Sequence, residues 1–298
     1  MYQTIILILI VNKLYIGVVI VKIDAVINEE LERKYNNLKD FIKNMGEIVI
    51  AYSGGVDSTF LLKVASEVLS KEKVLAVTSR SETYPQKQLE EAKELAESMS
   101  VEHIITYTSE LENERFAQND KLRCYYCKHE LFSEIIRIAE DRGYKFVADG
   151  SNYDDHIHDY RPGLKAADEL EVRSPLKEAE FTKNDIRIIS KKLGLSTWEK
   201  ASFACLSSRF PYGDKITIEN LTMVDKAEEF LQKYNFQQLR LRHHDDNTAR
   251  IEILPEDMPV LLKDREEIVE KLKEIGYTYI TMDIEGYRTG SMNELLEK

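Results

Sequence analysis

The sequence predicts an α/β protein, a doubly wound parallel sheet followed by a smaller α+β domain. Three observations predict it. Apolar runs of strand length (IVIA at 48–51, VLAVTSR at 74–80, VEHIITYT at 101–108 and KFVADGSN at 145–152) alternate with stretches of helical apolar spacing. Such alternation builds parallel sheets covered on both faces. A glycine turn, SGGVDS at 53–58, stands where the first of these strands gives way to a helix. Past about residue 212 the pattern restarts as helix, two period-two strands, helix and strand. The chain of 298 residues is long enough for two such units.

The elements follow in order. The first 22 residues hold two apolar runs, IILILIV and LYIGVVIV, split by Asn12 and Lys13. Their joint length would suit a membrane anchor. No Lys or Arg precedes them and no small-residue cleavage site follows, so a strand pair turning at Asn12-Lys13, or an extension the working protein does not need, is the reading adopted. Residues 26–45 carry Leu31, Tyr35, Leu38, Phe41 and Ile42 on one helical side. PQKQLEEAKELAESM reads as the second helix of the sheet domain, and HELFSEIIRIAEDRG, after a C-x-x-C pair, as the third. Asp154 to Leu176 has little periodicity beyond one short helix and reads as substrate-facing loop. FTKNDIRIISKKLG is an amphipathic helix with Thr182 as N-cap and Gly194 at its end. Residues 1–22, 23–211 and 212–298 are therefore taken as extension, sheet domain and C-terminal α+β domain.

Composition narrows the function. Apolar residues make up 43 % and charged residues 32 %, which suits a packed, water-soluble core. A net charge of −12 argues against broad binding to a phosphate backbone, and so against nucleic acid as partner. Three cysteines cannot all pair in disulfides, and reduced thiols suit a cytoplasmic location.

The glycine turn is suited to a pyrophosphate. Gly54 and Gly55 let backbone N–H groups approach an anion with no Cβ in the way, and the loop opens a helix whose N-terminus attracts negative charge. Ser53, Ser58 and Thr59 add hydroxyl donors, and Asp57 can hold Mg²⁺ against phosphate oxygens. A Walker loop would need a lysine after its last glycine, and none is present. A plain helix cap is the simpler alternative.

The cysteines carry the second signal. Cys124 and Cys127 stand in LRCYYCKHELF and Cys205 in SFACLSSRF. C-x-x-C lets two sulfurs reach one centre from a single turn, and a third thiolate completes a site with one position open. Zinc with His129 or His103 as fourth ligand is an alternative, as is a redox pair. Arg123, Lys128 and Arg209 flank the thiols and are expected to lower their pKa values. Asp154, Asp155, His156, His158 and Asp159 read as a polar loop over the nucleotide pocket, with Asn152 near Mg²⁺ or ribose, and Trp198 as a packing residue. Arg240 and Arg242 alternate on one strand and so share a face, which suits a phosphate; Arg250 and Glu252 likewise share a face.

SGGVDS resembles the PP-loop of the ATP pyrophosphatases, which cleave ATP to AMP and pyrophosphate while adenylating a carbonyl oxygen. The likeness extends through DGSNYDDHIHDYRPG, RSPL, LGLSTWEKASFACLSSRFPYG, LRLRHHDDNTARIE and GYRTGSMNE to the LarE family, over roughly residues 26–298. That family matures the nickel-pincer nucleotide cofactor by ATP-dependent sulfur transfer. One branch has only the cysteine matching Cys205 and sacrifices it. This sequence resembles the other branch, in which three thiolates hold a 4Fe–4S cluster whose open iron carries sulfide. The resemblance implies ATP and Mg²⁺ as cofactors, Cys205 and Asp57 as catalytic residues, and Cys124, Cys127 and Cys205 as cluster ligands. It also implies substrate-phosphate contacts from Ser208, Arg209, Arg240, Arg242 and Glu252. The expected partners are a pyridinium-3,5-biscarboxylic acid mononucleotide and a sulfide source, with no membrane, in a homo-oligomer. A tRNA thiolase of the same superfamily and a zinc-stabilised nucleotide-binding module are the alternatives.

Overall fold

The structure is a computed structural model that describes residues 13–156, 162–200, 204–244 and 246–295. Its first sheet has four parallel strands in the order β3-β2-β1-β4, with β1 Ile48–Ala51, β2 Val74–Arg80, β3 Glu102–Tyr107 and β4 Val147–Ala148. The chain steps outward from β1 to β2 and β3, then returns to the other side of β1 for β4. The direction of winding reverses between β1 and β4, and the crevice at such a reversal is where open α/β sheets take ligands.

Period-two alternation explains the layers. Ile48 and Ile50 of β1 and Val74 and Ala76 of β2 pack into one core with α1 Lys13–Met45, α2 Val56–Val68, α3 Gln86–Ser98 and, past α4 Glu114–Ala117, α5 Arg123–Arg142 and α6 Pro162–Glu169 in the chain, α7 Pro175–Glu178 and α8 Lys183–Lys192. Val49, Leu75 and Val77, the intervening residues, pack on the opposite face against Phe132, Ile135 and Ala139 of α5 and Ala167 of α6. A strand buried on both faces must be apolar throughout, which is why these segments read as continuous runs.

Helix boundaries are set by local chemistry. Thr182 and Asp185 form a reciprocal capping box at the start of α8, and Lys34 of α1 pairs with Asp185 at 3.0 Å. Gly143 ends α5 in the left-handed conformation. Two expectations are corrected. Residues 13–22 continue α1 as helix and are not a strand; their β-branched content is overridden because strand propensity depends on having a sheet to join. Residues 1–12 lie outside the described residues. Helix α5 begins at Arg123, so the cysteine pair sits in its first turns instead of ahead of it. No helix among the described residues is long and apolar enough to cross a membrane.

The second sheet runs β5-β6-β7, with β5 Leu239–His244 antiparallel to β6 Thr248–Ile253 and β7 Tyr279–Met282 parallel to it. Its core is closed by α9 Ile218–Leu231, α10 Met258–Lys263 and α11 Arg265–Ile275. Phe116 of α4, Leu206 and Phe210 are buried in this same core. The segment bearing Cys205 is thereby fastened to the second unit, and the Leu206 N–H bonds the Thr83 carbonyl just past β2.

Candidate active site

Two chemical centres lie along the carboxyl-terminal rim of the parallel sheet. The first is the loop between β1 and α2. Gly55 precedes α2 in extended conformation with no side-chain cap, so the leading N–H groups of the helix are not consumed by a capping residue. Gly54 has φ +63, and a Cβ there would stand 2.8 Å from Cβ of Ala92 on α3, so only glycine fits this turn. From the other side of the crevice the backbone after β4 closes in: a Cβ on Gly150 would lie 2.9 Å from the Ser58 nitrogen. The Ser53 and Ser58 hydroxyls are 3.1 Å apart. Thr59 is fully buried, and its backbone N–H closes the first helical turn onto Gly55.

Lysines reach this loop from far along the chain. Lys183, the first residue of α8, places Nζ 2.5 Å from Oδ2 of Asp57, and its backbone N–H donates to Asp154 at 2.8 Å. Lys200 donates to the Gly54 carbonyl at 3.3 Å and to Glu91 at 2.7 Å. Burial raises the pKa of Asp57, with Lys183 pulling back the other way. Asn152 is buried beside it and accepts the Asp154 N–H at 2.9 Å, while Asp155 accepts the Asn152 N–H. Asp57, Asn152 and Asp155 are a set of oxygen donors suited to Mg²⁺. Asp149 holds the base of the loop, accepting from Ser151 and from Ser174 at 2.8 Å.

The second centre gathers the three cysteines. Cys124 and Cys127 come from α5, and Cys205 from the turn before Leu206–Arg209. They are close enough to act on one another electrostatically: Cys124 raises the pKa of Cys205, and Cys205 that of Cys127. All three are free thiols. The sequence reading expected the flanking cations to lower these pKa values. The correction is that burial, reinforced by Glu110 and the neighbouring sulfurs, outweighs Arg123, Arg209 and Lys128, so Cys127 and Cys205 both lie above the usual thiol range. Arg123 is buried, with a guanidinium bond of 2.8 Å to the Ser207 carbonyl and its face on the Tyr212 ring.

Among the described residues no three His, Cys, Asp or Glu side chains converge as they would on a single metal ion. The histidines weighed as zinc ligands are engaged elsewhere. His103 lies on β3, bonded at 2.8 Å to Thr78, whose one hydroxyl proton goes to the Tyr52 carbonyl; Nε2 of His103 therefore carries the proton in that bond. His129 packs on the Tyr125 ring. Three thiols are the donor type that an iron–sulfur cluster takes, and Cys124, Cys127 and Cys205 are the residues that would hold one.

Glu110 escaped the sequence reading. It follows β3, is 5 % exposed, accepts from Thr83 at 2.8 Å and receives the Cys127 thiol at 3.2 Å. No local pattern marks it. Tyr84, Lys183, Lys200 and Glu228 were missed for the same reason: each acts across a long sequence separation.

The C-terminal unit supplies the arginines. Arg209 makes a two-pronged pair with Glu228 at 2.9 and 2.8 Å, and its Nη1 donates to the carbonyls of Ala204 and Cys205 and to the Ser208 hydroxyl. Arg242 pairs with fully buried Glu252 at 2.7 Å, donates to Ser291 at 3.0 Å and reaches back to the Ser208 carbonyl at 3.0 Å. Glu252 also faces Arg250 at 3.3 Å. Arg240 lies over the Tyr287 ring; burial lowers its pKa, and Arg209 adds to that. Arg209 and Arg242 both bond Ser208, at its hydroxyl and its carbonyl, and so tie the residues after Cys205 to Glu228 and Glu252, with both guanidiniums buried and charge-paired. His158 and Asp159 of the acidic-histidine loop lie outside the described residues.

The two centres share one short segment after β2. The Tyr84 hydroxyl donates to the Ser53 carbonyl of the first at 2.7 Å, while the adjacent Thr83 carbonyl receives the Leu206 N–H, next to Cys205, at 3.0 Å.

The chain is similar to known proteins over most of its length. A family model described as NAD synthase matches residues 30–123. An uncharacterised protein of Synechocystis is 42 % identical over 270 residues, covering 90 % of this chain and 100 % of the relative. The pyridinium-3,5-bisthiocarboxylic acid mononucleotide synthase of Lactiplantibacillus plantarum is 36 % identical over 268 residues, 90 % of this chain and 96 % of its own. An uncharacterised protein of Methanocaldococcus jannaschii is 34 % identical over 262 residues, 88 % of this chain and 98 % of its own.

Proposed function

Because the chain belongs to the LarE family, that of the pyridinium-3,5-bisthiocarboxylic acid mononucleotide synthases, we propose that it converts carboxylates of a pyridinium mononucleotide to thiocarboxylates at the cost of ATP. The substrate carboxylate oxygen attacks the α-phosphorus of ATP, the bond to the bridging β-phosphate oxygen breaks, and pyrophosphate leaves. Sulfur then attacks the acyl carbon of the adenylate and AMP departs with its electron pair.

The residues divide the work as follows. Gly54, Gly55 and the first N–H groups of α2, with Ser53 and Ser58, receive the pyrophosphate in the β1–β4 crevice. Asp57 and Asn152 hold Mg²⁺. Lys183 and Lys200 bring the positive charge that a Walker loop would carry within itself. The substrate phosphate is received beside Cys205 with Arg240, on the segment that Arg209 and Arg242 hold in place through their buried pairs with Glu228 and Glu252. Cys124, Cys127 and Cys205 hold a 4Fe–4S cluster, whose contribution when bound is an open iron able to present sulfide. The thiols need not be consumed on this reading. Homo-oligomerisation and a cytoplasmic location belong to the same proposal.

The observation that carries the reading is the shared Thr83–Tyr84 segment, which ties the phosphate loop to the Cys205 turn through neighbouring residues. The test is an iron and acid-labile sulfide count on protein purified without oxygen, beside Cys124→Ala. About four irons per chain, lost in the variant, is the expected result. Zinc instead of iron, or no metal, would remove the cluster from the account and leave Cys205 as a sacrificial donor.

A further inference from the structure

Beside the phosphate loop, Lys200 is paired with an acid that the proposed chemistry does not use. Its Nζ lies 3.3 Å from the Gly54 carbonyl and 2.7 Å from Oε2 of Glu91. The backbone behind it is fixed: Arg187 of α8 donates to the carbonyls of Trp198 and Lys200, the latter at 2.8 Å. The base of the side chain is therefore anchored, and its tip divides between two acceptors.

Glu91 reaches the loop from α3. The next residue, Ala92, is the one that a Cβ on Gly54 would meet. Glu91 also acts on Tyr84, whose hydroxyl donates to the Ser53 carbonyl: burial raises the Tyr84 pKa, and Tyr52 and then Glu91 add to the rise. A carboxylate here works against an anion site. The loop N–H groups, Lys183 and Lys200 favour pyrophosphate, whereas Glu91 occupies Lys200 and repels a bound anion with its own charge. The Lys200 and Glu91 side chains are 21 % and 38 % exposed, so a more highly charged ligand breaks their pair at small cost.

Resting on the adenylation reading above, we propose that Glu91 sets how long pyrophosphate stays on the loop, by competing with it for Lys200. Pyrophosphate that lingers reverses the step: one of its oxygens attacks the α-phosphorus of the acyl-adenylate, the carboxylate leaves with its electron pair, and ATP re-forms. Return of Lys200 to Glu91 withdraws a donor from the product and favours its departure. The same competition keeps the empty loop from retaining free phosphate.

The experiment compares wild type, Glu91→Gln, Glu91→Asp and Lys200→Met, purified without oxygen and checked for folding by urea unfolding. Pyrophosphate is titrated calorimetrically in the presence of Mg²⁺, and the KM for ATP is measured beside kcat. Removing one side of a partly exposed pair shifts affinity about two- to fivefold. Glu91→Gln should bind pyrophosphate that much more tightly than wild type and show a lower KM for ATP. Glu91→Asp, which keeps the charge, should lie closer to wild type, and Lys200→Met should bind pyrophosphate more weakly. Damage to a merely structural contact loosens binding, so the gain of affinity is the diagnostic sign. Unchanged or weaker pyrophosphate binding by folded Glu91→Gln would overturn the proposal, as would wild-type binding by Lys200→Met. Binding is read without turnover. A wild type that binds pyrophosphate but forms no AMP would therefore end the adenylation reading, while the Glu91→Gln comparison still decides whether Glu91 competes for Lys200.

Discussion

Replacing Arg209 with methionine is the sharpest test of how the fold holds Cys205 in place. Arg209 is 3 % exposed, and its guanidinium satisfies both oxygens of Glu228 and three further acceptors, among them the Cys205 carbonyl. Burial would raise the Glu228 pKa, but Arg209 and the Leu241 N–H hold it below the usual carboxylate range. Methionine fills much of the volume and leaves Glu228 as a buried charge without its two-pronged partner, held by the Leu241 N–H at 2.9 Å and the charge of nearby Arg240. Breaking a buried pair from one side costs about 3–5 kcal/mol. Against a whole-domain stability of roughly 5–15 kcal/mol, Arg209→Met should be folded but much weakened. The assay is the urea unfolding midpoint at constant slope. Adding Glu228→Gln to Arg209→Met should recover about half of the loss, because the amide no longer carries a charge needing a partner and still accepts from Leu241. A loss under about 1 kcal/mol, or a double variant no better than the single, would refute the claim that this pair anchors the Cys205 turn.

Three other outcomes follow from the same geometry. Lys183→Met should slow ATP-to-pyrophosphate cleavage about 10- to 100-fold by removing a charge-assisted contact, measured by pyrophosphate release; an unchanged rate would mean that Lys183 serves only to pair with Asp57. Gly150→Ala should raise the KM for ATP and destabilise the protein by about 1–3 kcal/mol, because the new methyl meets the backbone of Ser58, which cannot rotate away; wild-type ATP binding would show that β4 does not wall the crevice. His103 is held neutral by burial, and secondarily by Lys93, its pKa falling from 6.5 to about 4. Between those values the unfolded chain binds a proton that the folded chain refuses, so the His103 contribution is whole above about pH 6.5 and is lost as pH falls toward 4. The ceiling of about 3 kcal/mol becomes about 1–2 kcal/mol once its partial exposure is allowed for. Wild type should therefore lose that much more stability than His103→Asn between about pH 7 and about pH 4.5, and equal losses would contradict the assignment.

The sheet was legible because strands buried on both faces must be apolar throughout, and the loop because glycines at Gly54 and Gly55 answer a backbone need that composition exposes. Thr182 could be read as a cap because capping is settled within four residues. The start of α5 could not: no side chain caps Leu122, and Asp120, which bonds the Leu122 N–H, gives a signal shared by many turns. The apolar start misled because Ile and Val suit a strand only where a sheet edge receives them. At the site, Cys124, Cys127 and Cys205 announced themselves by residue type. Lys183, 126 residues from Asp57, and Glu110, 17 residues from Cys127, act through contacts that exist only after the chain has folded. The thiol acidity was misjudged for a related reason, since flanking cations are visible in sequence and burial is not.

The most direct test supplies the anaerobic protein with ATP, sulfide and pyridinium-3,5-biscarboxylic acid mononucleotide, then counts AMP and thiocarboxylate formed per chain and weighs the intact protein. The account predicts several thiocarboxylates per chain, each matched by an AMP, with Cys124, Cys127 and Cys205 all retained. No more than one product per chain with Cys205 converted to dehydroalanine, or AMP formed without thiocarboxylate, would contradict it.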